Sequence, residues 1–294
     1  MIMIFRNAKF SILAAVLFAA CQNTTSSPEK IPFEKGITIS TAETFPEHSF
    51  VSTNQMEGSF TLFSENSVAS LVLDSNEFSG VLKDSELFRQ DILGVSGHLP
   101  EISYHLTTGT PIIIGTIGKN QWIDNLIEEG KLDGSQLKGK WEKFIIQQVK
   151  SPFNNIENAL VIAGSDKRGT IYGMFELSRQ MGVSPWYYWA DVPVKRRNTI
   201  YIKPGSHTLG SPKVKYRGIF INDEAPALSG WAQDNFGGFN AQFYDKVFEL
   251  ILRLRGNFLW PAMWGRSIYD DDPKSPELAN EYGIKAIIQP GGSL

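Results

Sequence analysis

From Ile37 to about Gly205 short apolar runs alternate with amphipathic stretches, the pattern of an α/β chain. Four runs predict strands, namely Val68–Leu73, Pro111–Gly115, Phe144–Val149 and Ala159–Ala163, each apolar or β-branched and bounded by Gly, Pro or Asn. Three stretches predict helices. Ser85–Leu93 brings Leu87, Phe88, Ile92 and Leu93 to one side behind an Asp84/Ser85 cap, Asn120–Glu129 does the same with Trp122, Ile123, Leu126 and Ile127, and a third spans about Arg168–Met181. Arg196–His207 reads as a strand and turn leading out of this first region. Beyond Pro212 the units lengthen: a strand Val214–Ile221, a loop with Trp231, Asn235, Gly237 and Gly238, and a helix of about Phe239–Arg255 with Phe243, Val247, Leu250, Ile251 and Leu254 on one face. A strand Asn257–Pro261, a short helix Pro276–Tyr282 and a third strand from Gly283 complete a βαβαβ order.

Such repeats build either a doubly wound sheet or a (β/α)8 barrel, and both place ligands at the carboxyl ends of the strands. No Gly-rich fingerprint follows the first strand, whereas long loops bearing Trp231, Trp260 and Trp264 suit a barrel that stacks aromatic rings on sugars. The expected fold is therefore an α/β region over 37–205 followed by the first strands of a TIM-type barrel over 212–284, a barrel that would be incomplete here because a full one needs about 250 residues.

The amino terminus carries a separate signal. Arg6 and Lys9 precede an apolar run, Phe10 to Ala20, too short to cross about 30 Å of hydrocarbon but suited to the core of an export signal. Cys21 follows small residues, as in a bacterial lipoprotein box, so residues 1–20 read as a signal peptide, Cys21 as a lipid attachment point, and 21–36 as a polar tether. An exported, lipid-anchored envelope protein of the periplasm or outer membrane is expected, touching the membrane only through its anchor.

Composition then removes several classes of function. With 28 basic and 31 acidic residues and a net charge of −3, the chain has no field to steer a nucleic-acid backbone. One cysteine excludes an internal disulfide framework or a cysteine-cluster metal site, and four scattered histidines lack ligand spacing, so no metal is expected. The turn Gly164-Ser165-Asp166-Lys167-Arg168-Gly169 lacks the Lys-Ser/Thr of a phosphate loop and reads as a strand-to-helix turn capped by Ser165 or Asp166, with glycines supplying unusual backbone angles. The run Trp186-Tyr187-Tyr188-Trp189 reads as interface packing, with sugar stacking as the alternative. Asp270, Asp271 and Asp272 read as a solvated turn, with a hard-cation site as the alternative.

Asn222, Asp223 and Glu224 sit where the first strand of the second region ends, the place where chemistry is expected in either architecture. Adjacent side chains at a strand end point in opposite directions, so Asp223 and Glu224 cannot by themselves flank a scissile glycosidic bond. Backbone capping or solvation is the competing reading of both carboxylates.

The strings Arg217-Gly218-Ile219-Phe220-Ile221-Asn222-Asp223-Glu224-Ala225-Pro226-Ala227-Leu228, Phe243-Tyr244-Asp245-Lys246-Val247-Phe248-Glu249 and Leu259-Trp260-Pro261-Ala262-Met263-Trp264 resemble glycoside hydrolase family 115, the xylan α-1,2-glucuronidases. The resemblance runs from about Ile37 to Ile284. It implies removal of glucuronic acid or its 4-O-methyl ether from xylan side chains by inversion, without an organic cofactor, with glucuronoxylan or its oligosaccharides as the partner. Asp223 and Glu224 are carried over as candidate catalytic residues, and Asn222, Trp231 and Trp260 as candidate substrate-binding residues. Residues 285–294 depart from the family's pattern, so the chain as written is expected to be an inactive fragment lacking a second catalytic carboxyl. A glycan-binding envelope lipoprotein without catalysis is the alternative, and a homodimer of the full-length protein stays open.

Overall fold

In the computed structural model, which describes residues 49–261 and 266–286, the buried strands present apolar side chains on both faces and so need cover on two sides. In chain order the elements are β1 (Val51–Ser52), β2 (Phe60–Ser64), β3 (Ser67–Val68), β4 (Leu71–Val72), α1 (Ser79–Ser96), β5 (Ile102–Ser103), β6 (Ile112–Thr116) and α2 (Gln121–Glu128). They continue with β7 (Phe144–Phe153), β8 (Ile156–Gly164), α3 (Lys167–Met181), β9 (Ile200–Ile202), β10 (Ser206–His207) and β11 (Gly218–Phe220). The last are α4 (Ala227–Phe236), α5 (Ala241–Arg253), β12 (Phe258–Trp260), α6 (Lys274–Tyr282) and β13 (Lys285–Ala286). The chain is a mixed α/β protein.

A six-stranded sheet in the order β10-β7-β8-β6-β4-β5 forms the first region. Strands β5, β4, β6 and β8 run parallel, and β7 and β10 add an antiparallel edge. Period-two alternation sorts its side chains: Ile112, Ile114, Leu160 and Ile162 meet Val81, Phe88 and Ile92 of α1 and Ile171 of α3. On the opposite face Ile113, Val161 and Ala163 meet Ile123 and Leu126 of α2. A small antiparallel sheet, β1-β9-β2-β3, adds Phe60, Leu62 and Ile200 to the first of these cores.

The second region is a parallel sheet, β11-β12-β13, whose returning helices α5 and α6 pack on α1 and α3. Phe243, Val247 and Ile251 of α5 and Tyr282 of α6 share one core with Phe88 and Ile171. Layers therefore stack as α2, six-stranded sheet, α1 with α3, α5 with α6, and parallel sheet. Contact between the helix layers is close enough to dictate composition: a Cβ on Gly80 of α1 would stand 2.2 Å from the carbonyl oxygen of Glu281 in α6. The expected boundary near 205–212 lies around β10, the last strand of the six-stranded sheet, and ahead of β11, the first of the parallel sheet. Residues 1–36 with Cys21, together with Trp264 and the tail beyond 286, lie outside the described residues, among which no helix is long and apolar enough to cross a membrane.

Local expectations were met unevenly. Helix α1 begins six residues before its expected start, and Asp84 and Ser85, read as its cap, are buried in its interior. The segment with Trp231 and Asn235, read as loop, is helix α4. At the turn before α3 the capping reading holds, since Asp166 accepts from the Gly169 amide at 2.8 Å and Ser165 Oγ from the Lys143 amide at 3.0 Å. Its glycines serve close approach instead of unusual angles, for a Cβ on Gly169 would lie 2.3 Å from the Lys143 carbonyl oxygen. The aromatic run lies against α5, with Tyr187 Oη donating to Glu249 at 2.7 Å and Trp189 Nε1 to the Lys246 carbonyl at 3.2 Å.

Glu142 joins the two regions. Fully buried, it accepts from Arg168 Nε of α3 at 2.6 Å, from Asn257 Nδ2 ahead of β12 at 2.7 Å, and from Arg217 Nη2 ahead of β11. Arg217 also donates to Tyr172 Oη, which donates in turn to the Gly256 carbonyl at 2.7 Å. Beside this group, Lys167 and Arg168 donate to the carbonyls of Asn280, Glu281 and Gly283, supplying the C-terminal partners that α6 cannot make for itself. Replacing Glu142 with Gln leaves two arginines short of their anion, and removing one member of a buried ion group costs about 3–5 kcal/mol. Chemical denaturation at neutral pH should show a loss of that size; a loss under about 1 kcal/mol would remove Glu142 from its role as the joint.

Candidate active site

Parallel pairing sets Phe220 beside Trp260, and the ladder runs one residue further as the Ile221 amide donates to the Trp260 carbonyl at 2.9 Å. The carboxyl ends of β11 and β12 therefore share one edge. The next three residues alternate as a strand end should: Asn222 is exposed, Asp223 is buried and Glu224 is exposed. Ser229 of α4 donates from its hydroxyl to the Asp223 carbonyl, so the first turn of the helix ties down the loop that carries the acid. The Ala225–Pro226 peptide within that loop is cis.

Burial also sorts the sheet's two faces. Ile219 and Leu259 turn toward the helices, while Phe220 and Trp260, 53% and 41% exposed, stand edge to face on the opposite side with centroids 5.5 Å apart. Tyr216 and Phe258 extend this aromatic face below them, 5.9 Å apart. Asn222, Asp223, Glu224 and Trp260 are thus brought to one edge. Trp231 is placed elsewhere, on α4, where it packs on Trp189 at 5.5 Å and on Phe236 at 5.6 Å while staying partly open to solvent.

Helix α5 starts from the same edge. Asn240 accepts from the amides of Gln242 and Phe243, each at 3.1 Å, and donates to the Phe236 carbonyl at 2.6 Å, fastening α4 to α5. Asp272, beyond the loop after β12, accepts from the Ala241 amide at 2.8 Å and the Lys274 amide at 3.0 Å. Those two backbone donors hold its carboxyl below the usual range. Asp271 accepts from the Ser267 amide at 3.1 Å. Asp271 and Asp272 thus act as backbone tethers, and among the described residues no group of three or more potential ligands could hold a metal ion. Sequence reading missed Ser229 and Phe220. Asn240, just ahead of a periodic apolar helix, had a legible capping signal.

Chemically, the edge offers a buried carboxyl to hydrogen-bond sugar hydroxyls and exposed rings to stack on a sugar's apolar face. The described elements have the α/β fold of a glycosidase: the family GH115 4-O-methyl-α-glucuronidase BtGH115A, with specificity for decorated arabinogalactans, is 34% identical with a TM-score of 0.65, over 76% of this chain and 29% of that one. Weaker likenesses join a Streptomyces plicatus β-hexosaminidase (9% identity, TM-score 0.47, 78% of this chain and 42% of that one) and CpGH84D (10%, 0.48, 80% and 35%). No curated protein matches the chain. Residues 209–288 match the model of Glycosyl hydrolase family 115, and over this region the chain belongs to that family. It spans about 29% of the length of BtGH115A.

Proposed function

We propose that the protein is an inverting glycoside hydrolase that removes glucuronic acid or its 4-O-methyl ether from the side chains of a decorated polysaccharide, glucuronoxylan first among them. The observation that carries this reading is Asp223, a buried carboxyl at the carboxyl edge of a parallel sheet inside the family-matching residues. In the proposed architecture β11, β12 and β13 are the opening strands of a (β/α)8 barrel, with Phe220 and Trp260 on its inner face. Asp223 acts on the substrate directly, Glu224 beside it is the second candidate, Asn222 and Trp260 bind the sugar, and Trp231 offers an outlying ring. No organic cofactor is required.

Inversion needs two carboxyl groups about 6.5–9.5 Å apart, so that a water fits between the base and the sugar. Among the described residues one buried carboxyl stands at this edge. Residues 49–286 alone are therefore expected to bind the saccharide without cleaving it, which is also what a non-catalytic glycan-binding protein would do. We further propose that Cys21 carries a lipid and holds the protein in the bacterial envelope.

Titration calorimetry with aldouronic oligosaccharides from glucuronoxylan should show saturable binding that Asp223→Ala weakens about tenfold, about 1.4 kcal/mol. Chromatography of the same mixtures should show no free glucuronic acid. Release would mean that both carboxyls are already in place, and no saturable binding to decorated xylan or arabinogalactan would overturn the reading. Cys21→Ala should move the protein from the membrane to the soluble fraction, and unchanged attachment would end the lipoprotein proposal.

A further inference from the structure

Asp84 lies in the middle of α1, fully buried, and neither carboxylate oxygen has a hydrogen-bond partner. It faces the junction on which the parallel sheet rests, where α1 meets α5 and α6. Every charged group around it is committed elsewhere. Arg253 of α5 gives both terminal nitrogens to Asp91 of α1, at 2.8 and 3.0 Å, and its Nε to Glu249 at 2.9 Å. Lys83 of α1 pairs with Asp245 of α5 at 3.1 Å, and Asp245 accepts from Tyr282 Oη of α6 at 2.8 Å. Lys246 pairs with Glu249 at 3.0 Å, and Lys167 of α3 is taken by the carbonyls of Asn280 and Glu281. One buried guanidinium thus already serves two carboxylates, Asp91 and Glu249. A third negative charge would have no donor and no exposure to solvent, a situation a carboxyl escapes by keeping its proton.

We propose that Asp84 is held as a neutral carboxylic acid at the α1–α5–α6 junction, and that its ionisation in alkaline solution loosens the attachment of the parallel sheet to the rest of the fold. Burial pushes its carboxyl well above the ordinary range, and the negative charge of Glu249 pushes it further. Two neighbours titrate against this background: burial raises Asp91 despite the pull of Arg253, while Arg253 and Lys246 hold Glu249 down despite its burial. The sign follows from proton linkage. The folded state keeps a proton that the unfolded chain releases near pH 4, so the stability Asp84 contributes is complete below that pH and is lost as pH rises through the folded-state value.

The test compares thermal unfolding of the wild type with Asp84→Asn, which keeps the shape and stays neutral at every pH. The melting temperature of the variant minus that of the wild type should widen by about 3–5 °C for each pH unit above pH 5 until the carboxyl ionises, given 1.36 kcal/mol per unit of proton linkage and about 2–4 °C per kcal/mol in a chain of this size. A difference that stays flat overturns the proposal. Asp84→Leu supplies a second readout, because the wild type at neutral pH should show an infrared band of a protonated carboxyl that this variant lacks. A band of equal strength in both proteins, or none in the wild type, also overturns it.

Discussion

One buried carboxylate shared by two arginines fixes the relation between the layers of this protein. Glu142 sits just ahead of β7, takes one arginine from α3 and the other from the segment entering β11, and accepts an amide from Asn257 at the entrance to β12. Glu142 and Arg168 lie in the first region and Arg217 and Asn257 in the second, so the buried carboxylate has its full set of donors only when both regions are folded. Since Arg217 and Asn257 lie immediately before paired strands, the same group sets the register of β11 against β12.

The carboxyl edge that carries Asn222, Asp223 and Glu224 is the far end of those two strands. Its position is set from behind by Glu142 and from the side by the helix layer, where Gly80 admits the backbone of α6 and Arg253 ties α5 to α1. Asn240 and Asp272 then fasten the helix starts at the site's own rim. Positioning groups thus lie on elements separated by more than a hundred residues, whereas the groups that face a ligand lie on a single short loop and a neighbouring strand.

That division explains what could be read from the sequence. Strands β6 and β8 were legible as continuous apolar runs and β7 from Phe144, Ile145, Ile146 and Val149, and α5 because its apolar residues recur at helical spacing. The candidate acids were legible from their place after β11. Helix α4 was not, since it has a glycine at position 230, no capping side chain and a mostly exposed surface. Strands β1 and β3, two residues each, were too short to stand out, and β1 and β2 are held by β9, which returns from the far end of the region to pair with both. Asp84 was misread as a cap because a polar residue ahead of an apolar run signals a helix start; its burial depends on α5 and α6, which local pattern cannot see.

The central claim is that the two regions are one cooperative structure rather than a stable α/β layer with a loosely attached parallel sheet. Native-state hydrogen exchange at low denaturant measures this directly, by comparing the amides of Ile221 and Phe258 in the parallel sheet with those of Ile114 and Ile162 in the six-stranded sheet. The account predicts that both sets open with the same free energy and the same denaturant dependence. Exchange of Ile221 and Phe258 through a lower-energy opening, while Ile114 and Ile162 stay protected, would contradict it.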